Sequence, residues 1–170
     1  MTNPQSINRH CLAVLVTNEP GVLARVVGLF SGRGYNIESL AVAEVNGGTN
    51  LSRITIVTRG TDDIVDQIMA QLSRLVPVHR VVNLSKAGAW IEHEMALVKV
   101  TAHGDARAKA NRIAEDHKAV AVDPDATPLI FHMTGTPSQI DRFLDKIKPH
   151  GLIEVVRTGT VGIGADTRTL

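Results

Sequence analysis

Two asparagines and a Pro-Gly turn are the residues of this sequence best suited to hold a small ligand. Asn18-Glu19-Pro20-Gly21-Val22-Leu23 joins an apolar run to a stretch with the spacing of an amphipathic helix. The first N–H groups of a helix lack internal partners and point ahead of it. Pro20 stiffens the approach, and Gly21 keeps side-chain atoms away from those amides. A carboxylate docked there would gain about 0.3–2 kcal/mol from the helix dipole, besides direct hydrogen bonds. Asn18 and Asn36 each offer an amide donor and an acceptor, so between them they could satisfy both ends of a zwitterion. Val22, Leu23 and Ile37 could enclose a short aliphatic side chain. The residues by themselves also fit a plain loop, because Asn-x-Pro-Gly is common turn chemistry.

Other chemistries find less support. The seven histidines, His10, His79, His93, His103, His117, His132 and His150, show no metal-ligand spacing. Asp62-Asp63 reads as helix-start chemistry rather than a catalytic pair. Gly162-Ile163-Gly164 has no helix after it and is not a dinucleotide fingerprint. No nucleophile elbow and no P-loop occurs. One cysteine, Cys11, excludes an internal disulfide and a multi-cysteine metal site, and its apolar run makes it a small buried hydrophobe. Aromatic residues make up 3% of the chain, too few for base-stacking platforms on the middle strands. A net charge of +1 with scattered positives gives no basic stripe for nucleic acid or an anionic membrane. An apolar share of 44% and a charged share of 21% are those of a globular protein. No secretory leader opens the sequence and no apolar run approaches a membrane span, so the expected setting is the cytoplasm.

The elements that must position the asparagines follow from periodicity. Residues 10–17 form a strand apolar on both faces, which expects cover on both sides or a central place in its sheet. After the turn comes a helix to about residue 31, with Val22, Val26, Leu29 and Phe30 on its inner stripe and Gly32-Arg33-Gly34 ending it. Residues 36–45 and 51–58 are strands joined by the turn Asn46-Gly47-Gly48-Thr49-Asn50. Thr61 can cap the next helix, lined by Ile64, Ile68, Leu72 and Leu75, and residues 78–84 close the unit. Past a linker the same order returns: a strand at 94–102, a helix at 105–117 with the thin face Ala106, Ala110, Ile113 and Ala114, and short strands at 119–123 and 129–134. Thr136-Pro137-Ser138-Gln139 is a helix start with cap, first-position proline and third-position glutamine. Ile140, Phe143, Leu144 and Ile147 line that helix, and residues 152–158 close the second unit. The fold class expected is α+β: two tandem βαββαβ ferredoxin-like domains with antiparallel four-stranded sheets and two helices on one face. The boundaries expected are a disordered 1–9, a first domain at 10–85, a linker at 86–92, and a second domain at 93–170 with a loosely held Gly-rich end. Such scaffolds host unrelated functions, so function must come from a site.

Asn18-Glu19-Pro20-Gly21-Val22-Leu23-Ala24-Arg25-Val26, Gly28-Leu29-Phe30-Ser31 and Arg33-Gly34-Tyr35-Asn36-Ile37-Glu38-Ser39-Leu40 strongly resemble the N-terminal ACT domain of acetolactate synthase small subunits. Leu51-Ser52-Arg53-Ile54-Thr55-Ile56, Glu94-Met95-Ala96-Leu97-Val98-Lys99-Val100 and Glu154-Val155-Val156-Arg157-Thr158-Gly159 extend the likeness over nearly the whole chain. The resemblance implies a regulatory subunit without a catalytic site, homodimeric through its ACT domains. It would bind valine between protomers, with leucine or isoleucine as alternatives, and would both activate and feedback-inhibit a separate catalytic subunit. No cofactor is expected in this chain; thiamine diphosphate, Mg and FAD would sit in the catalytic partner. Asn18, Gly21 and Asn36 carry over as ligand contacts, and Glu19, Pro20, Val22, Leu23 and Ile37 as neighbours. Glu44-Val45-Asn46-Gly47-Gly48 departs from the acidic, proline-containing loop usual in the family, and Asp116-His117-Lys118 stands where a hydrophobic pair is common. The rivals are a stand-alone ACT sensor controlling another enzyme or a transcription factor, and an enzyme in its own right.

Overall fold

A computed structural model describes residues 6–45, 48–167 and 169–170. The first unit runs β1 (Asn8–Thr17), α1 (Val22–Ser31), β2 (Ile37–Glu44), β3 (Leu51–Gly60), α2 (Asp62–Leu72) and β4 (Val78–Asn83). Its sheet has the order β2-β3-β1-β4, with all neighbours antiparallel. This is the ferredoxin-like arrangement the periodicity expects. β1 is both central and covered on its two faces. Leu12, Val14 and Val16 meet Val22, Val26 and Phe30 of α1 and Val65, Ile68 and Leu72 of α2 in one core. Cys11 and Ala13 point the other way and form a smaller cluster with Val57 and Leu84. Val65, Ile68 and Leu72, at i, i+3 and i+7, are the fully buried positions of α2, and the expected Ile64 and Leu75 are only partly buried. Asn46 and Gly47 of the β2–β3 turn lie outside the described residues, as do residues 1–5 of the expected disordered start; Asn8 and Arg9 already belong to β1.

The second unit runs β5 (Trp90–Val100), α3 (Gly104–Asp116), β6 (Val120–Ala121), β7 (Leu129–Gly135), α4 (Pro137–Ile147) and β8 (Leu152–Arg157), in the order β6-β7-β5-β8. Thr136 and Gln139 form the full reciprocal capping box at the start of α4. Ala110 and Ala114 put α3 close to the sheet, while Phe131 and Phe143 meet edge to face at 6.3 Å and fill the space between. His117 lays its ring 5.7 Å from Phe143 and directs Nδ1 to the Ile113 carbonyl at 2.9 Å. The imidazole thus supplies packing area and satisfies its polar atom at the helix end.

The chain's compact units are divided differently from the expected 10–85 and 93–170. The first comprises residues 1–91 with 160–170, and the second residues 92–159. The Gly-rich end is not loose: it contains β9 (Val161–Gly164) and returns to the first unit. Gly162 seats this strand on the sheet face opposite the helices. A Cβ there would stand 2.9 Å from Leu84 Cδ1 and 3.2 Å from Cys11 Sγ, so only glycine fits at this distance. Thr160 N–H donates to Ser39 Oγ at 2.7 Å, Ala165 N–H to the Ala89 carbonyl at 2.8 Å, and Arg53 Nη2 to the Gly162 carbonyl at 2.5 Å. Among the described residues no helix is long and apolar enough to cross a membrane.

Candidate functional site

The β1–α1 turn differs from the other helix starts in what it leaves open. α2 begins with the Thr61 hydroxyl accepting from Ile64 N–H, and α4 with its capping box. α3 has no side-chain cap but carries Asp105 in its first turn. α1 has neither a side-chain cap nor an acidic residue in its first turn. Its cap position is Gly21 at φ 83°, in the left-handed region that glycine enters without a Cβ penalty. A Cβ built there would meet nothing within 4 Å, so the space before the helix is empty. The Val22 amide has a long bond to the Glu19 carbonyl at 3.4 Å, and Arg25 N–H bonds the Gly21 carbonyl at 3.1 Å. Between them, the Leu23 and Ala24 amides have no partner among the described residues. Two main-chain donors and the positive end of a three-turn helix therefore face solvent, where a carboxylate could replace water.

Asn18, Glu19, Pro20 and Gly21 are all exposed around that opening. The Asn18 N–H is fixed by the Asn50 carbonyl at 2.8 Å, which leaves its side chain for other use. Glu19 leans toward Arg25, with Oε1 3.7 Å from Nη1, both well exposed. That pairing is worth little in itself but draws the carboxylate aside from the helix start. Val22 lies in the core and Leu23 is 41% exposed beside the turn. The neighbourhood thus splits between a structural valine and an available leucine.

Asn36 and Ile37 are elsewhere. Thr17 pairs with Leu51 at one end of β3, whereas Ile37 pairs with Thr58 at the other. From Leu51 to Thr58 the strand advances about 23 Å at 3.3 Å per residue. The Asn36 carbonyl accepts from the Thr58 hydroxyl at 2.7 Å, which anchors it at that far end. Asn18 and Asn36 of one chain therefore stand at opposite ends of the same sheet, and α1 spans the interval. Neither helical nor strand periodicity carries this separation; it follows from pairing register, a non-local property. β2 is an edge strand, half-buried or exposed along its length, with Val42 45% exposed. Antiparallel approach of two β2 edges would bring Asn36 of each chain to the Asn18 end of the other. Among the described residues no three metal-ligating side chains come together here or elsewhere.

Comparison with known proteins adds an independent line. The family described as the AHAS small subunit-like ACT domain matches residues 12–80, and the small subunit of acetolactate synthase matches residues 93–166. The chain is 43% identical over 156 residues to the acetolactate synthase isozyme 3 small subunit of Salmonella typhimurium, covering 91% of this chain and 94% of that one. It is 40% identical over 163 residues to the acetolactate synthase small subunit of Haemophilus influenzae, covering 95% and 99%. The crystal structure of the small subunit from Thermotoga maritima superposes with a TM-score of 0.86 at 31% identity, covering 95% of this chain and all of that one.

Proposed function

The chain belongs to the family of acetolactate synthase small subunits, and on that premise we propose that it activates a separate catalytic subunit and makes it sensitive to valine. Thiamine diphosphate, Mg and FAD belong to the catalytic partner in this reading, and this chain contributes no reacting group. Its own work is to bind the effector and to favour one state of the complex over another. Such coupling typically amounts to about 1–3 kcal/mol and is reciprocal between effector and partner.

The observation that carries this reading is the half-site at each end of the first sheet. One end offers the open Leu23 and Ala24 amides beside Asn18 and Gly21; the other offers Asn36 and Ile37 at the start of the edge strand. A homodimer formed across β2 completes two equivalent sites, as twofold symmetry requires. In each, main-chain amides of one copy take the amino acid's carboxylate. The asparagine amides of the two copies take its ammonium and remaining carboxylate oxygen, and Leu23 with the other copy's Ile37 encloses the branched side chain.

Subunit mixing tests the arrangement. An Asn18→Ala homodimer and an Asn36→Ala homodimer each have two damaged sites, so each should respond weakly to valine. Mixed dimers of the two chains would have one doubly damaged site and one intact site. In isolated mixed dimers, recovery of valine binding to about half the parental stoichiometry, by calorimetry, is the expected result, and about a quarter in an unfractionated equimolar mixture. No recovery would place both asparagines in one chain's site, or in none, and overturn the shared-site reading.

A further inference from the structure

We propose that Ser39 and Thr160 form a regulatory latch on the effector site, so that valine bound at Asn36 holds the returning tail on the first unit. The latch rests on the valine reading and adds a route by which that site acts on the rest of its own chain. Its origin is an irregularity at the start of β2. Ile37 pairs with Thr58 and Ser39 with Val57, so two steps along β2 face one along β3. Glu38 is the extra residue of a β-bulge. Side chains alternate along a strand, and Ile37 packs into the core on the helix side. Without the extra residue Ser39 would point there too. The bulge instead sets it opposite Val57, on the face that carries Cys11 and Ala13. There the Ser39 hydroxyl accepts from the Thr160 N–H at 2.7 Å.

Thr160 is held firmly for a polar residue. It is 2% exposed, and its Oγ1 accepts from Arg9 Nη2 at 3.4 Å. Gly159 before it has φ 82°, a left-handed turn that glycine takes without a Cβ penalty. The second unit ends at Gly159 and the first resumes at Thr160, so the Ser39 bond sits where the chain comes back. Asn36 lies three residues before Ser39, within about 11 Å along extended chain. The bulge leaves Glu38 out of the ladder, so this short stretch can shift with little loss of pairing. A ligand on the Asn36 amide and the Ile37 side chain would restrain the same segment that presents the Ser39 hydroxyl. Restraint of one end narrows the positions of the other and favours the seated tail. By reciprocity a seated tail favours the ligand equally.

Amide hydrogen exchange of the full chain, read by mass spectrometry, tests the latch. The peptide spanning residues 159–166 carries the bonded amides of Thr160 and Ala165, and α4 serves as an internal reference. Calorimetry on the same samples measures valine binding. Saturating valine should slow exchange of the tail peptide at least about fivefold and leave α4 unchanged. Ser39→Ala should quicken tail exchange without ligand and lose the valine-dependent slowing, while valine binds at the parental stoichiometry. Ser39→Thr keeps a hydroxyl and should restore the slowing, which a mere change of strand packing would not do. Valine bound with tail exchange unchanged would overturn the latch and leave the effector reading standing. Full slowing in Ser39→Ala, or none in Ser39→Thr, would overturn it as well. A parent chain that binds no valine would remove the effector reading itself, and the latch with it.

Discussion

The two units share a strand order and differ in what is left exposed. In both, a positive-φ glycine sits at the first β-to-α junction, Gly21 at 83° and Gly104 at 52°. The second unit then places its own carboxylate, Asp105, in the first turn of α3, while the first leaves α1 without one. The sheet faces contrast the other way. In the first unit the face opposite the helices is covered, with Cys11, Ala13 and Val57 fully buried. In the second, Leu97 and the cross-strand Val156 are 38% and 54% exposed. One frame therefore supports an open helix start beneath a closed face, and a filled helix start beneath an open one. Topology positions the turns; a few local residues decide which of them can receive a ligand.

The largest expected effect breaks the comparison at the level of packing. Phe143→Ala removes the ring that fills the second unit's core against Phe131 and His117, and should cost about 3–5 kcal/mol in urea unfolding. Next comes the contrast between the helix starts. Gly21→Asp puts a carboxylate where α1 has none and should weaken valine binding at least about tenfold, or roughly 1.4 kcal/mol, with assembly intact. Gly104→Asp, beside a carboxylate already present, should leave valine binding unchanged; equal losses in the two variants would erase the distinction. The capped helices give a smaller effect. Thr61→Ala and Thr136→Ala each remove a hydroxyl acceptor and should cost about 1 kcal/mol in thermal or urea unfolding.

The smallest effect concerns the second unit's open face. Lys99 hydrogen-bonds Glu154 and, by that bond and its charge, holds the carboxyl below the usual range. A lowered folded pKa means the pair stabilises above the unfolded carboxylate's value of about 4.3 and loses that stabilisation as pH falls through the folded value. Urea midpoints of the parent and of Lys99→Met should differ slightly near neutrality and converge in acid. A difference that persists in acid would assign the effect to packing of the lysine stem.

Local chemistry made most of the frame readable in advance. The stripes of α1 and α4, the Thr61 and Thr136 caps, and the doubly apolar run of β1 each specify an element within a few residues of chain. Val161-Gly162-Ile163-Gly164 was opaque for the opposite reason. Its glycines read as a loose end, whereas Gly162 is small because Cys11 and Leu84, distant in sequence, come within reach of it. The site was legible in part. Residue types at Asn18, Gly21 and Asn36 suggest amino-acid recognition, but their separation depends on how β3 pairs with both β1 and β2. Along the chain seventeen residues separate the asparagines, and that spacing alone does not reveal that α1 carries the second one to the far end of the sheet.

Gly162 also makes Cys11 a timekeeper. The chain's single thiol lies sealed under the returning tail, fully buried. A maleimide can reach it only in the fraction of molecules whose tail has lifted, so the alkylation rate measures that fraction whenever reclosure is faster than reaction. Adding one methyl group at Gly162 would press against Leu84 and Cys11, favour the lifted form and quicken the labelling.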